Sequence, residues 1–244
     1  MTEPFLPPRD RVRIFAHRGL ATHARENTLP AFRAALDAGA DYLETDVHAT
    51  LDGACVINHD PALVVAGLTR RIAESTLDEL SSGERMPLLE DALREFPDAK
   101  FNIDVKAFAA VEPAVAAIRA AGASHRVLVT SFDESTRAAV TAQLPAAATS
   151  ASSKLVIAAL PWLYLGLPTL VRAALRGVDA VQLPERRGPL RLISRRTVRT
   201  FHRAGVEVHV WTVNDERDMR RLVALGVDGL VTDRCDLAAR IFAS

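Results

Sequence analysis

One pattern recurs along this chain and limits the folds open to it. An Ala-rich helical stretch ends at a glycine, and a short apolar strand follows. The pattern appears as Ala38-Gly39-Ala40-Asp41 before Tyr42-Leu43-Glu44, and as Ala121-Gly122 before Val127-Leu128-Val129. It returns as Arg176-Gly177-Val178-Asp179 before Ala180-Val181-Gln182, as Ala204-Gly205 before Val206-Glu207-Val208, and as Leu225-Gly226-Val227-Asp228 before Gly229-Leu230-Val231. Glycine just past a helix end takes the left-handed cap that other residues resist. Helices alternating with short apolar strands build a parallel sheet. The strands are predicted at 12–16, 42–48, 101–106, 126–131, 147–150, 179–183, 206–212 and 229–232. Eight such units in 244 residues match an α/β fold of the (β/α)8 TIM-barrel type. An open doubly wound sheet shares the alternation and is the alternative.

A ninth strand, 54–58, does not fit the parallel series. Only Thr50-Leu51-Asp52-Gly53 joins it to the second strand, and a parallel crossover needs a dozen or more residues. Asp-Gly signals a hairpin. A turn centred between Asp52 and Gly53 places His59 opposite Asp46. Residues 60–87, with Pro61, Gly67, Gly83 and Pro87, read as an insertion at the barrel mouth with a short helix at 76–80, a lid or substrate-facing segment. The chain is read as one domain over 1–244.

Lys+Arg and Asp+Glu are equal at 30 each, which argues against a nucleic-acid binder. Two cysteines, Cys55 and Cys235, are too few for a disulfide framework. Residues 1–8 carry no basic or apolar leader pattern, so the expectation is no signal peptide and a cytoplasmic protein. Residues 155–171 are uncharged but broken by Pro161 and Pro168. They read as a buried amphipathic helix, with a lipid-facing or acyl-binding surface as the alternative and a membrane span disfavoured.

Chemistry gathers at the predicted strand ends. Glu44 and Asp46 are two apart on one strand, so they share a face. They repel unless a cation lies between them. Oxygen ligands alone suit Mg²⁺ or Ca²⁺; an ion pair with Arg or Lys is the plainer alternative. In Phe101-Asn102-Ile103-Asp104-Val105-Lys106 the polar residues alternate with apolar ones. Asp104 then becomes a candidate third ligand, and Lys106 can meet an anion. His17 and Arg18 follow Ile14-Phe15-Ala16 at a strand's C-terminal end, where barrel enzymes keep their chemistry. His17 and His59 could serve as general acid and base, and Arg18 has planar donors for phosphate. His48 shares the face of Glu44 and Asp46 and is a weaker candidate. His23, His125, His202 and His209 lack this setting. Trp211 lies near the mouth as an aromatic wall or a packed rim residue.

These residues carry a resemblance. The pieces are Ala16-His17-Arg18-Gly19; Glu26-Asn27-Thr28; Gly39-Ala40-Asp41 leading to Glu44-Thr45-Asp46-Val47; Thr50-Leu51-Asp52-Gly53; and His59-Asp60. Further pieces are Asn102-Ile103-Asp104-Val105-Lys106, Val210-Trp211-Thr212-Val213-Asn214 and Gly226-Val227-Asp228-Gly229-Leu230-Val231-Thr232-Asp233. In this order they resemble the glycerophosphodiester phosphodiesterases. The resemblance implies a TIM barrel with a short insertion after the second-strand hairpin. It implies one divalent cation (Mg²⁺ or Ca²⁺, with Mn²⁺ a third candidate) at Glu44, Asp46 and Asp104. It also implies His17 and His59 as the acid–base pair, with Arg18 and Lys106 gripping phosphate. Two departures stand out: Arg25 where the family usually has Pro, and Asp104 where it often has Glu. The Glu–Asp–Asp triple is also similar to that of the related phospholipase D toxins. The expected reaction cleaves a glycerophosphodiester into an alcohol and glycerol 3-phosphate. The alternatives are a lysophospholipase D, with peripheral membrane contact through 155–171, and a non-catalytic phosphodiester-binding barrel.

Overall fold

The computed structural model describes residues 5–6, 11–81 and 85–242. Residues 1–4 and 7–8 of the leader reading, and Gly83 of the insertion, lie outside the described residues. The first half runs β1 (Arg13–Ala16), α1 (Leu29–Asp37), β2 (Tyr42–Ala49), β3 (Cys55–Ile57), β4 (Ala62–Val65), β5 (Leu68–Arg71), α2 (Leu77–Leu80), α3 (Leu89–Glu95), β6 (Lys100–Val105), α4 (Val111–Ala120) and β7 (Val127–Thr130). The second half runs α5 (Glu134–Gln143), β8 (Ala148–Thr149), α6 (Ser153–Leu165), α7 (Pro168–Ala174), β9 (Ala180–Leu183), β10 (Arg186–Arg187), β11 (Leu190–Arg191), α8 (Arg195–Arg203), β12 (Glu207–Val210), α9 (Glu216–Leu225), β13 (Gly229–Thr232) and α10 (Cys235–Phe242).

The parallel strands neighbour one another in the order β8-β7-β6-β2-β1-β13-β12-β9. A parallel bridge from Ser150 to Ala180 joins the two ends, so the eight strands form a ring and the open sheet is excluded. Every residue of β1 and β2 is buried, as expected of strands covered on both faces. Alternation splits them into two shells. Ile14, Leu43, Phe101, Ile103, Val129 and Val208 point outward under the helices. Phe15, Tyr42, Leu128, Ala180 and Val231 fill the barrel. A polar layer closes the floor: Arg13 donates to Glu207 at 2.7 Å and to the Tyr42 hydroxyl at 3.0 Å. Gly229 belongs to this packing, because a Cβ there would lie 2.7 Å from the Phe15 ring and 2.8 Å from His209.

The β2–β3 hairpin forms, with its register one residue from the sequence expectation. Val47 pairs with Ile57 and Ala49 with Cys55, so Asn58, not His59, lies opposite Asp46; the Asn58 amide donates to the Asp46 carbonyl at 3.0 Å. The loop is a three-residue turn. Gly53 takes φ +84° and donates to the Thr50 carbonyl, the type I turn plus left-handed glycine that shifts a hairpin register. His59 still reaches the mouth, because Asn58 folds its side chain onto the Asp60 carbonyl at 2.7 Å and bends the chain.

The insertion contains the expected helix, α2, with Thr76 and Glu79 in a capping box. It also contains an unforeseen hairpin, β4–β5, turned by Ala66 and Gly67 at φ 50° and 80°. It packs on its own small core of Val56, Val65, Ile72, Leu80 and Met86. The Leu51 amide donates to the Ser75 carbonyl and Asp52 accepts from the Leu77 amide at 3.0 Å. These bonds pin the insertion to the far tip of the hairpin.

Residues 155–171 depart from the buried-helix expectation. They divide between α6 and α7 at Gly166, which takes φ 73°. In α6 only Ala159 and Leu163 are buried, whereas Ile157, Trp162, Tyr164 and Leu165 are exposed. Ala159 and Leu163 face the barrel, Leu155, Val156 and Leu160 pack against the core at its edge, and the remaining large apolar side chains of the helix are left outside. No helix among the described residues is long and apolar enough to cross a membrane.

Candidate active site

β1 delivers the chain to the mouth and stops. The His17 amide still donates to the Thr232 carbonyl of β13 at 2.9 Å. Arg18 and Gly19 then both take positive φ, 55° and 84°. That double kink aims the Arg18 amide at Glu44 Oε2, 3.0 Å away. The loop returns through Asn27, also left-handed at φ 58°, a conformation Asn tolerates better than most residues. Its amide nitrogen donates to Asp46 Oδ2 at 3.1 Å, and its side-chain oxygen accepts from Thr45 at 2.8 Å. Asn27 therefore braces β2 from both faces.

A cavity of about 190 Å³ at the C-terminal end of the barrel brings together all eight residues singled out from the sequence: His17, Arg18, Glu44, Asp46, His59, Asp104, Lys106 and Trp211. No described residue of the insertion lines it. Asp46 is its hub. Lys106 Nζ lies 2.6 Å from Asp46 Oδ1 and 2.6 Å from Asp104 Oδ2, and Arg18 Nε lies 3.2 Å from Asp46 Oδ2. Arg18 also donates to Glu26 at 2.9 Å. The ion pairs foreseen as the alternative to a metal thus form here. Among the described residues no three His, Cys, Asp or Glu side chains are drawn together closely enough to hold an ion. Two oxygens nevertheless remain buried with no hydrogen-bond partner, Asp104 Oδ1 and Asn102 Oδ1.

Each histidine is oriented by its own carboxylate. His17 Nδ1 donates to Asp233 Oδ1 at 2.6 Å, and Asn214 holds that aspartate by donating to Oδ2 at 2.6 Å. His59 Nδ1 donates to Asp60 Oδ1 at 2.8 Å. In both rings Nε2 is left for the cavity. His48 does not line the cavity; it donates from Nε2 to the His59 carbonyl at 3.1 Å, supporting His59 from below. His209 is fully buried beneath the site, against Phe15 and Gln182. The Trp211 ring stands edge-on to Phe132, with centroids 6.0 Å apart. Asp233, Asn214, Asn27 and Phe132 were not assigned roles from sequence. The first three lie inside recognised motifs, but their partners are far away in the chain.

The charges follow from burial and neighbours. Burial, helped by Asp46, pushes Glu44 up to about 8. Burial also raises Asp104, against the pull of Lys106. In Asp46 burial is outweighed by Lys106, Asn27 and Arg18, and its pKa falls. Burial disfavours charge on His17, yet the Asp233 bond and Glu44 prevail and raise its pKa. Glu44 makes stability pH-dependent. Below its ordinary value of 4.5 both folded and unfolded chains hold the proton. As pH rises toward 8 only the unfolded chain releases it, so stability is lost, on the order of 3 kcal/mol by pH 7. In chelator-treated protein, the melting temperature is expected to fall between pH 5 and 8 more steeply for wild type than for Glu44→Gln. Equal slopes would show that Glu44 is not the strained group.

The sequence model of the glycerophosphoryl diester phosphodiesterase family matches residues 17–237. A probable glycerophosphodiester phosphodiesterase 2 of Mycobacterium tuberculosis is 39% identical over 230 residues, covering 91% of this chain and 87% of that protein. A human lysophospholipase D is 34% identical over 110 residues, covering 37% of this chain and 35% of its own. Among solved structures, a glycerophosphoryl diester phosphodiesterase homologue from Silicibacter pomeroyi superposes with a TM-score of 0.78 at 24% identity, over 95% of this chain and 93% of that one. An Oleispira antarctica phosphodiesterase, solved with its product sn-glycerol-3-phosphate, superposes with a TM-score of 0.75 at 22% identity, over 95% and 97%. The family match spans the residues from His17 to α10, and the barrel of the solved structures is the barrel seen here. The chain belongs to the glycerophosphoryl diester phosphodiesterase family and is an enzyme of that class.

Proposed function

We propose that the whole chain forms one catalytic unit that hydrolyses glycerophosphodiesters to an alcohol and glycerol 3-phosphate, using a divalent cation held by Glu44, Asp46 and Asp104. The observation that carries this reading is the pairing of two carboxylate-oriented histidines across a cavity that also holds three buried carboxylates. The donor set suits a hard cation: it is all oxygen, Asp104 Oδ1 and Asn102 Oδ1 have no partner, and Glu44 is too buried to keep its charge unaided. When bound, such an ion neutralises phosphoryl oxygens and orients the glycerol. Arg18 and Lys106 hold the phosphate from the cavity wall. One histidine takes the proton of the attacking oxygen, and the other protonates the leaving alkoxide. Lys106 supplies the positive charge between Asp46 and Asp104 in the conformation seen, and its flexible stem lets it turn to a substrate anion.

A second reading is favoured by one feature. An apolar groove of about 320 Å³ shares Phe132, Ala151, Gln182 and Trp211 with the catalytic cavity and continues along Ile157 and Leu160 to Leu190. It suits the acyl chain of a lysophospholipid. One assay tests both readings. After chelation, turnover of glycerophosphocholine and lysophosphatidylcholine is measured with Mg²⁺, Ca²⁺ and Mn²⁺ restored separately. Loss on chelation and recovery with one ion is expected. Full activity in excess chelator would remove the cation from the reading, and faster turnover of the lysolipid would favour the second one.

A further inference from the structure

The equal charge totals of the chain conceal an uneven distribution. Residues 153–205 hold ten Lys or Arg and only two acidic residues, Asp179 and Glu185. Asp179 is committed to the backbone, accepting from the Thr149 amide at 2.8 Å. Glu185 is paired with Arg221 and Arg191. Arg195, Arg196, Arg199 and Arg203 run along one side of α8 and line a cleft of about 450 Å³ with Leu165 and Gly166 at the end of α6. No carboxylate among the described residues pairs with Arg196, Arg199 or Arg203. Arg195 and Arg196 stand on the first helical turn, which has no acidic residue and where the helix dipole disfavours cations.

The apolar part of the surface adjoins this row. Leu165, Leu167 and Leu170 are exposed where α6 passes into α7, with Trp162 and Tyr164 exposed beside them. A Cβ at Gly166 would lie 3.3 Å from Arg196 Nη2, so the end of α6 sits directly against the start of α8. The Tyr164 hydroxyl donates to the Arg191 carbonyl of β11 at 3.0 Å. Since β11 and the first turn of α8 directly follow the C-terminal end of β9, the end of α6 that meets Arg191 and Arg196 is at the mouth side of the barrel, and Ile157 further back on the same helix lines the groove beside the catalytic cavity.

We propose that the exposed face of α6 and α7, together with the arginine row of α8, docks on an anionic lipid bilayer. Apolar and aromatic side chains beside unpaired arginines match the boundary between acyl chains and anionic headgroups. A second copy of this chain is a poorer fit, because a two-fold contact through the patch would bring two arginine rows together. Docking would hold the mouth of the groove beside the bilayer.

The test reads binding alone, so it stands or falls separately from the catalytic reading. The full chain is floated with vesicles of phosphatidylcholine, and with vesicles of equal parts phosphatidylcholine and phosphatidylglycerol. Binding to the anionic vesicles only is expected, weakened by high salt. Arg196→Glu/Arg199→Glu should weaken it at least thirtyfold. Leu165→Asn/Leu170→Asn should weaken it more than tenfold without changing its salt dependence. Both variants should keep wild-type turnover of glycerophosphocholine, which shows they are folded. A vesicle-induced blue shift in tryptophan emission should disappear in Trp162→Phe. No flotation of wild type, equal flotation of the arginine variant, or a dimer that the leucine variant dissociates would each overturn the proposal.

Discussion

His17→Ala is expected to turn over glycerophosphocholine about a thousandfold more slowly than wild type, with little change in melting temperature. The side chain is mostly buried, at 19% exposed, but it lines the cavity and belongs to neither apolar shell of the barrel, so its removal is a loss of chemistry more than of structure. What alanine deletes is an imidazole fixed on one side by Asp233 and facing the cavity on the other. The partner variant Asp233→Asn separates orientation from identity. Asp233 helps to raise the His17 pKa, so the asparagine variant should move the His17 limb of the kcat/KM profile to lower pH while retaining part of the activity. Wild-type kcat/KM in His17→Ala would end the acid–base assignment.

Gly19→Ala is expected to lose roughly 2–5 kcal/mol of folding stability, read from urea unfolding. Two costs combine. The position has φ +84°, and a Cβ there would come within 2.7 Å of the Ala31 carbonyl carbon and 2.8 Å of its oxygen. Those are backbone atoms in the first turn of α1, and the oxygen already accepts from the Leu20 amide. They cannot step aside as a flexible side chain could. Gly53→Ala is the internal control: it also has φ +84°, but a Cβ there meets nothing within 4 Å, so only the backbone cost of about 1 kcal/mol remains. Equal losses in the two variants would show that the α1 contact does not matter.

The barrel strands were legible because they are short runs with buried apolar positions, and five of the eight follow a glycine cap at a helix end, signals local to a few residues. The inward polar series of Asn102, Asp104 and Lys106 was legible for the same reason, since alternation needs no knowledge of neighbours. The hairpin register was not, because it turns on whether Gly53 counts as a turn residue or a strand residue. The bond from His17 to Asp233 was not, because only closure of the ring brings residues 216 apart together. The sequence also could not say that Lys106 would lie between two aspartates, although both are near it in the strand order. The exposure of α6 was hidden for another reason: an all-apolar helix has no polar face to show which side meets water.

The contact between the first and last barrel strands has a consequence for synthesis. His17 follows the first barrel strand in chain order, and Asp233 is supplied after β13, the last. A nascent or truncated chain can own both histidines, the three carboxylates, Arg18 and Lys106 and still lack an oriented His17. The barrel therefore carries its own proof of completion: the bond that orients His17 is formed only once the last barrel strand has been made and has found the first.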